Sequence, residues 1–129
     1  MNGRATTRDG QSNAILQKRT KAFALRVIRL VERLPKSKTA DVLGKQLLRS
    51  GTSVGANYRS ACRARSPAEF CSKMGIVEEE ADESGYWMEL LADSEIVKAH
   101  LLQDLLQESG EIVAMAVASI RTARRNEPE

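Results

Sequence analysis

Five carboxylates fall within six positions, at Glu78, Glu79, Glu80, Asp82 and Glu83. On packed helices such a cluster is the raw material of a di-metal site. That site takes a Glu from each of two helices and a Glu-x-x-His from each of two others. The chain has one histidine, His100, and the residue three before it is Val97. The ligand set is incomplete, so no metal is expected. The carboxylates read instead as a solvated face, with Glu80 or Glu83 paired to a basic residue of a neighbouring helix or subunit. Cys62 and Cys71 have no ligand-spaced histidine, cannot complete a four-ligand zinc site, and read as buried, unreactive thiols. His100 has no nucleophile close in sequence and reads as a surface residue. There is no P-loop, no dinucleotide-binding glycine motif and no nucleophile elbow. No catalytic residue, cofactor or small-molecule substrate is expected, and the chain does not read as an enzyme.

The basic residues carry a different chemistry. At helical period Lys45, Arg49, Arg59 and Arg63 fall within roughly 40° of one direction, opposite the apolar stripe of the same segment. No aromatics are interleaved, so this lane suits phosphates rather than stacked bases. Charge is also unevenly divided along the chain. Residues 1–65 hold 15 Lys/Arg against 3 Asp/Glu, and residues 66–129 hold 5 against 14. Two readings follow: a basic surface on the first and second helices that binds RNA, another polyanion or a ribonucleoprotein partner, or two halves that neutralise each other across adjacent helices.

The elements that position these residues are helices. Ser66-Pro67-Ala68-Glu69 reads as a hinge, with Ser66 the N-cap, Pro67 the first helical residue and Glu69 the reciprocal partner of a capping box. Before it, a second helix is predicted from Ser37 or Thr39 to about Arg65, with core residues Leu43, Leu47, Val54, Tyr58 and Ala61. After it, Phe70, Met74, Val77, Ala81, Ser84, Met88 and Leu91 keep the 3–4 spacing of a third helix ending at Asp93-Ser94. A first helix is predicted from Asn13 to Pro35 on Leu16, Phe23, Val27, Leu30 and Leu34. A fourth runs from about Lys98 to Arg121 on Leu102, Leu105, Leu106, Ile112, Val113, Ala116 and Ile120, with Gly110 as a candidate kink site. Residues 1–12 read as a disordered lead-in and 123–129 as a charged tail, leaving one domain over 13–122. Four amphipathic helices with short connections imply an all-α, antiparallel up-down-up-down four-helix bundle.

Two further lanes bear on packing. Gly44, Gly51 and Gly55, with Cys62, line one edge of the second helix's core stripe. Each glycine inside a helix costs about 1 kcal/mol relative to alanine, so three on one lane imply that another helix approaches closely. The third helix is the expected neighbour, with Gly51 level with Ala81 and Gly55 with Val77, and a branched side chain at Gly55 is not expected to fit. Leu25 and Ile28 on the first helix, and Ile76, Trp87 and Leu90 on the third, are apolar beyond what one bundle buries. They are the expected contacts of a homo-oligomer.

The 129 residues, 42% hydrophobic and 29% charged with 4% aromatic, suit one globular helical domain. The longest apolar run, Ile112 to Ala118, is far short of a membrane span. No signal-peptide pattern opens the chain and the cytoplasm is the expected compartment.

Gln46-Leu-Leu-Arg-Ser-Gly-Thr-Ser-Val-Gly-Ala-Asn-Tyr-Arg59, Cys62-Arg-Ala-Arg-Ser-Pro-Ala-Glu-Phe70, Glu78-Glu-Glu-Ala-Asp-Glu83 and Tyr86-Trp-Met-Glu-Leu-Leu91 carry a resemblance. Together they resemble the bacterial four-helix-bundle proteins first noticed in intervening sequences of 23S rRNA genes, over about residues 14–122. The resemblance implies an antiparallel bundle assembled as a homopentamer, with no enzymatic activity. The accessory proteins of diversity-generating retroelements are similar in fold. They imply a basic surface that engages a reverse transcriptase and nucleic acid.

Overall fold

The computed structural model of the chain describes residues 3–126, with side chains from residue 13 onward. It contains four helices and, among the described residues, no strand: α1 Gly3–Glu32, α2 Lys38–Ala61, α3 Pro67–Asp93 and α4 Ala99–Arg125. The fold class is therefore all-α. Three boundaries differ from expectation by more than a turn, one of them the end of α2, at Ala61 rather than about Arg65. Helix α1 begins at Gly3 rather than Asn13, so residues 3–12 are helical and not a separate lead-in. No proline interrupts this stretch, and a nucleated helix extends at little further cost. Helix α4 continues through Ala123, Arg124 and Arg125 and is capped by Asn126. Residues 1–2 and 127–129, the outer parts of the expected lead-in and tail, lie outside the described residues. Helix α4 passes through Gly110 as one element.

The turns follow local chemistry. Ser37 Oγ accepts from the Ala40 N–H at 3.1 Å to open α2. At the hinge Ser66 Oγ accepts from the Glu69 N–H at 3.1 Å, with Pro67 in the first turn. Only this half of the expected capping box forms among the described hydrogen bonds. Helix α3 ends in a Schellman turn: the Ile96 N–H donates to Leu91 O and the Glu95 N–H to Ala92 O, both at 3.0 Å. Glu95, at φ 63°, takes the left-handed position that glycine usually fills.

The predicted apolar stripes meet in one core. Phe23 and Val27 of α1, Leu47, Val54 and Tyr58 of α2, Met74, Val77, Ala81, Met88 and Leu91 of α3, and Leu102, Leu105, Ile112 and Ala116 of α4 are all buried in it. Helix α2 packs on α1 and α3, and α4 packs on α3 and only lightly on α1. Within this core the Ser50 and Ser84 hydroxyls meet at 3.0 Å between α2 and α3. As α2 ascends, its α1 partners descend: Gly44 lies against Val31, Gly51 against Val27 and Gly55 against Thr20.

These contacts correct the expected neighbour of the glycine lane. A Cβ on Gly51 would lie 2.8 Å and 2.9 Å from the Val27 methyls, and one on Gly44 2.9 Å from Leu34 Cδ1. The helix that comes close is α1, not α3. At Gly55 the same atom would sit 3.4 Å from the Thr20 carbonyl and hydroxyl oxygens, an ordinary contact. The tight positions are Gly51 and Gly44, rather than Gly55.

At the far end of the same pair, the buried Tyr58 hydroxyl donates to Asn13 Oδ1 at 3.1 Å. Burial pushes the phenol well above its ordinary value of 10.0, and the Cys62 thiol adds to the shift. The unfolded chain therefore releases this proton before the folded one does. Stability from the neutral phenol is full below the ordinary phenol range and is lost as pH rises above it. Tyr58→Phe should cost about 1 kcal/mol through the lost hydrogen bond. It should also flatten the alkaline fall in stability, which denaturant midpoints across the alkaline range would reveal.

Candidate nucleic-acid interface

The four basic residues expected to act together are divided by the structure. Lys45 is exposed and its Nζ lies 3.3 Å from Asp41 Oδ2, one turn back on α2. Arg49 turns toward α3. Its Nε donates to Gln46 Oε1 at 3.2 Å, Nη1 to Glu80 Oε2 at 3.1 Å, and Nη2 to Glu83 Oε2. Glu83 Oε2 also accepts from Trp87 Nε1 at 3.0 Å, so one carboxylate joins the arginine to the indole. Glu80 is 14% exposed. The expected partner for Glu80 or Glu83 on a neighbouring helix is Arg49, engaged with both. Lys45 and Arg49 thus serve helix contacts, whatever else they meet.

Arg59 and Arg63 are exposed and form no ion pair among the described residues. Arg59 stands at the rim of a groove of about 600 Å³ between α1 and α2, together with Lys18 and Lys21 of α1. Thr20, Thr52, Gly55 and Ala56 also line it. A second cleft, lined by Ala56, Arg59, Ser60 and Arg63, continues the cationic surface toward the end of α2. The close approach of α1 to α2 at Gly51 and Gly55 is what brings cations of two helices onto one groove. Phosphates could be held here by the three ammonium and guanidinium groups, with the Thr52 hydroxyl nearby.

Lys18 and Lys21 are the functional candidates that the lane on the second helix omits. The signal for them was their own three-residue spacing on the outer face of α1. What the spacing lacks is the identity of the opposing helix.

The remaining chemistry-bearing residues lie apart from this groove. Cys62 and Cys71 are half-buried free thiols, and Cys71 Sγ sits 3.9 Å from Ile120 O. His100 is exposed in the first turn of α4. The apolar residues expected in an oligomer contact occupy two places. On α1, Leu25 is 42% exposed and Ile28 half-buried. On α3, Ile76 is 37% exposed, while Trp87 and Leu90 are half-buried, Trp87 packing on the core. No helix is long and apolar enough to cross a membrane among the described residues.

Comparison with known proteins agrees with this architecture. A crystal structure of a protein of unknown function from the S23 ribosomal protein family of Bacteroides thetaiotaomicron VPI-5482 superposes with a TM-score of 0.79 at 35% identity. The match covers 84% of this chain and 97% of that one. No functionally curated protein matches. The family model described as 23S rRNA-intervening sequence protein matches residues 12–118, which takes in the glycine lane, the hinge, the carboxylate cluster and most of α4. With that span matched and the four-helix fold in common, this chain belongs to the 23S rRNA-intervening sequence protein family.

Proposed function

We propose that the chain is a non-enzymatic, self-associating accessory protein that holds RNA, or a ribonucleoprotein, along the groove between α1 and α2. In this reading the helices form an antiparallel up-down-up-down bundle, the assembly is a homopentamer, and it works in the cytoplasm. The opposed register of α1 on α2 supports the antiparallel arrangement. The pentamer is what the family resemblance implies.

One observation carries the polyanion reading: Lys18, Lys21 and Arg59 from two helices converge on one open groove. A backbone bearing a charge at every phosphate is the ligand that several separated cations fit, and repetition around an assembly adds avidity. Lys21→Glu with Arg59→Glu should leave the fold and mass unchanged, since exposed charges contribute about 0–1 kcal/mol each. The same variant should lose retention of single-stranded RNA in filter binding at low salt. Wild-type retention should weaken steeply as salt rises. Undiminished retention in the double variant would remove the groove from the reading.

A second reading is a protein–protein scaffold whose charge asymmetry only aligns its own helices. The Arg49 pairs with Glu80 and Glu83 favour it. Under the scaffold reading RNA retention is absent in the wild type, while Arg49→Glu lowers the melting temperature. The two readings separate on the wild-type RNA measurement alone.

A further inference from the structure

A second groove opens on another side of the molecule, between the C-terminal half of α1 and the start of α4. It has a volume of about 560 Å³. Arg19 of α1 reaches Glu108 and Glu111 of α4, and nearer the start of α4 the two helices leave a gap. Arg26 and Arg29 line the gap from α1, Arg33 continues the row in the turn just past the end of α1, and Lys98 closes its end. The floor is apolar: Leu30, Leu105 and Leu101, the last 64% exposed on the first turn of α4. None of the four cations forms an ion pair among the described residues.

The complementary surface lies on α3. Asp82, Tyr86, Glu89 and Asp93 follow one another at steps of four, three and four residues, and all are exposed. None of the three carboxylates forms an ion pair among the described residues either. Tyr86 is 53% exposed, and its ring meets Trp87 edge-on at 5.2 Å. The lane therefore presents an amphipathic ring flanked on both sides by carboxylates. Asp82 and Glu89 are seven residues apart, as are Arg26 and Arg33. Seven residues of helix span about 10.5 Å, so the acidic row is long enough to lie along Arg26, Arg29 and the turn residue Arg33. A helix laid along the gap would put the tyrosine over the leucines and its carboxylates beside the arginines.

We propose that the α1/α4 groove receives the acidic face of α3 from a second copy of this chain, with Tyr86 as the anchor. This rests on the self-associating reading above and assigns it a surface. The groove and the lane are different patches of one molecule, and the α1 and α3 backbones do not come close to each other. The contact is therefore heterologous: each copy gives its lane to one neighbour and its groove to another, which builds a ring or a filament rather than a two-fold dimer. Charge sets the register and the choice of partner, while the buried tyrosine and leucines supply apolar contact. A polyanion in the groove would leave Leu101 uncovered, and its phosphates have no use for the apolar floor.

The test is a charge swap in the full chain, with mass read by light scattering at micromolar concentration and folding checked by circular dichroism. One variant carries Arg26→Glu, Arg29→Glu and Arg33→Glu; another carries Asp82→Lys and Glu89→Lys. Each alone should stay helical and fall toward the 14.2 kDa of one chain, its self-affinity reduced at least about 100-fold. Mixed in equal amounts the two should regain a mass above either alone, because each reversed surface again meets its opposite. Tyr86→Ala should weaken association about tenfold or more without altering charge. A wild-type assembly that keeps its mass in both reversal variants overturns this interface and leaves self-association standing. Dissociation of both without recovery on mixing overturns the pairing of groove with lane. A wild type already at 14.2 kDa overturns self-association itself.

Discussion

Gly51→Leu should abolish the native fold or cost more than about 3 kcal/mol, the upper range for overpacking a core. The first added atom already falls within 2.8–3.1 Å of three atoms of Val27. Val27 is fully buried and β-branched on a helix, so its χ1 has essentially one allowed setting and cannot turn aside. Helix α1 would have to move away from α2, opening the core that Phe23 and Leu47 share. Gly51→Ala meets the same obstacle in smaller form. Its gain of about 1 kcal/mol in helix propensity is outweighed by an overpacking cost of about 1–3 kcal/mol. At Gly55 the balance reverses, because a Cβ there makes only 3.4 Å contacts and the residue lines an open groove. Gly55→Ala should be neutral or stabilise by up to about 1 kcal/mol. Thermal melts should rank Gly55→Ala at or above wild type, Gly51→Ala below it, and Gly51→Leu lowest. A wild-type melt for Gly51→Leu would refute the close approach of α1.

Arg19→Ala is the second large effect. Arg19 Nε and Nη2 donate to the two carboxylate oxygens of Glu108 at 2.7 Å and 2.8 Å, and Nη2 also reaches Glu111 Oε1 at 2.5 Å. Glu108 is only 16% exposed, so removing its partner leaves a largely buried carboxylate unpaired. With the guanidinium about a third in water, the expected loss is about 1–2 kcal/mol, or roughly 4–8 °C in melting temperature. The consequence is local as well, since this clamp holds α1 to α4 where they otherwise touch little. Arg19→Lys should recover only part of the loss, because an ammonium cannot reproduce the planar two-pronged contact.

The clamp also has a pH signature. Hydrogen bonds from Arg19, and then from Gln107, hold the Glu111 carboxyl below its ordinary value of 4.5. The folded state therefore binds this proton later than the unfolded state as pH falls. The contribution is present above the ordinary carboxylate range and is lost as pH drops through the lowered value. Arg19→Ala should remove this part of the acid dependence. An acid profile parallel to wild type would show that the pair does not couple to folding.

Much of the fold was legible from apolar spacing, because each stripe is a local property of one helix. Phe23 and Val27, Leu47 to Tyr58, Met74 to Leu91 and Leu102 to Ala116 are buried where a period of 3.6 places them. The hinge was legible because a serine cap and a proline in the first turn act within four residues. The end of α3 was legible in position but not in form, since Glu95 occupies a left-handed site that its side chain does not advertise. The start of α1 was not legible: residues 3–12 lack an apolar stripe, and their helicity continues that of the segment after them.

The candidate groove was half legible. The sequence by itself determined that Arg59 and Arg63 point away from the core and that Gly51 needs a close neighbour. Both follow from angle about a single helix axis. Which helix stands on each side of α2 is a different quantity, set by the turning sense of the whole assembly, and helical period is blind to it. Only the tertiary structure put α1 against the glycines, Arg49 against the carboxylates of α3, and Lys18 and Lys21 beside Arg59. The physical reason is that ion pairs and grooves form between elements, and their partners are chosen by how the apolar stripes of all four helices are buried at once.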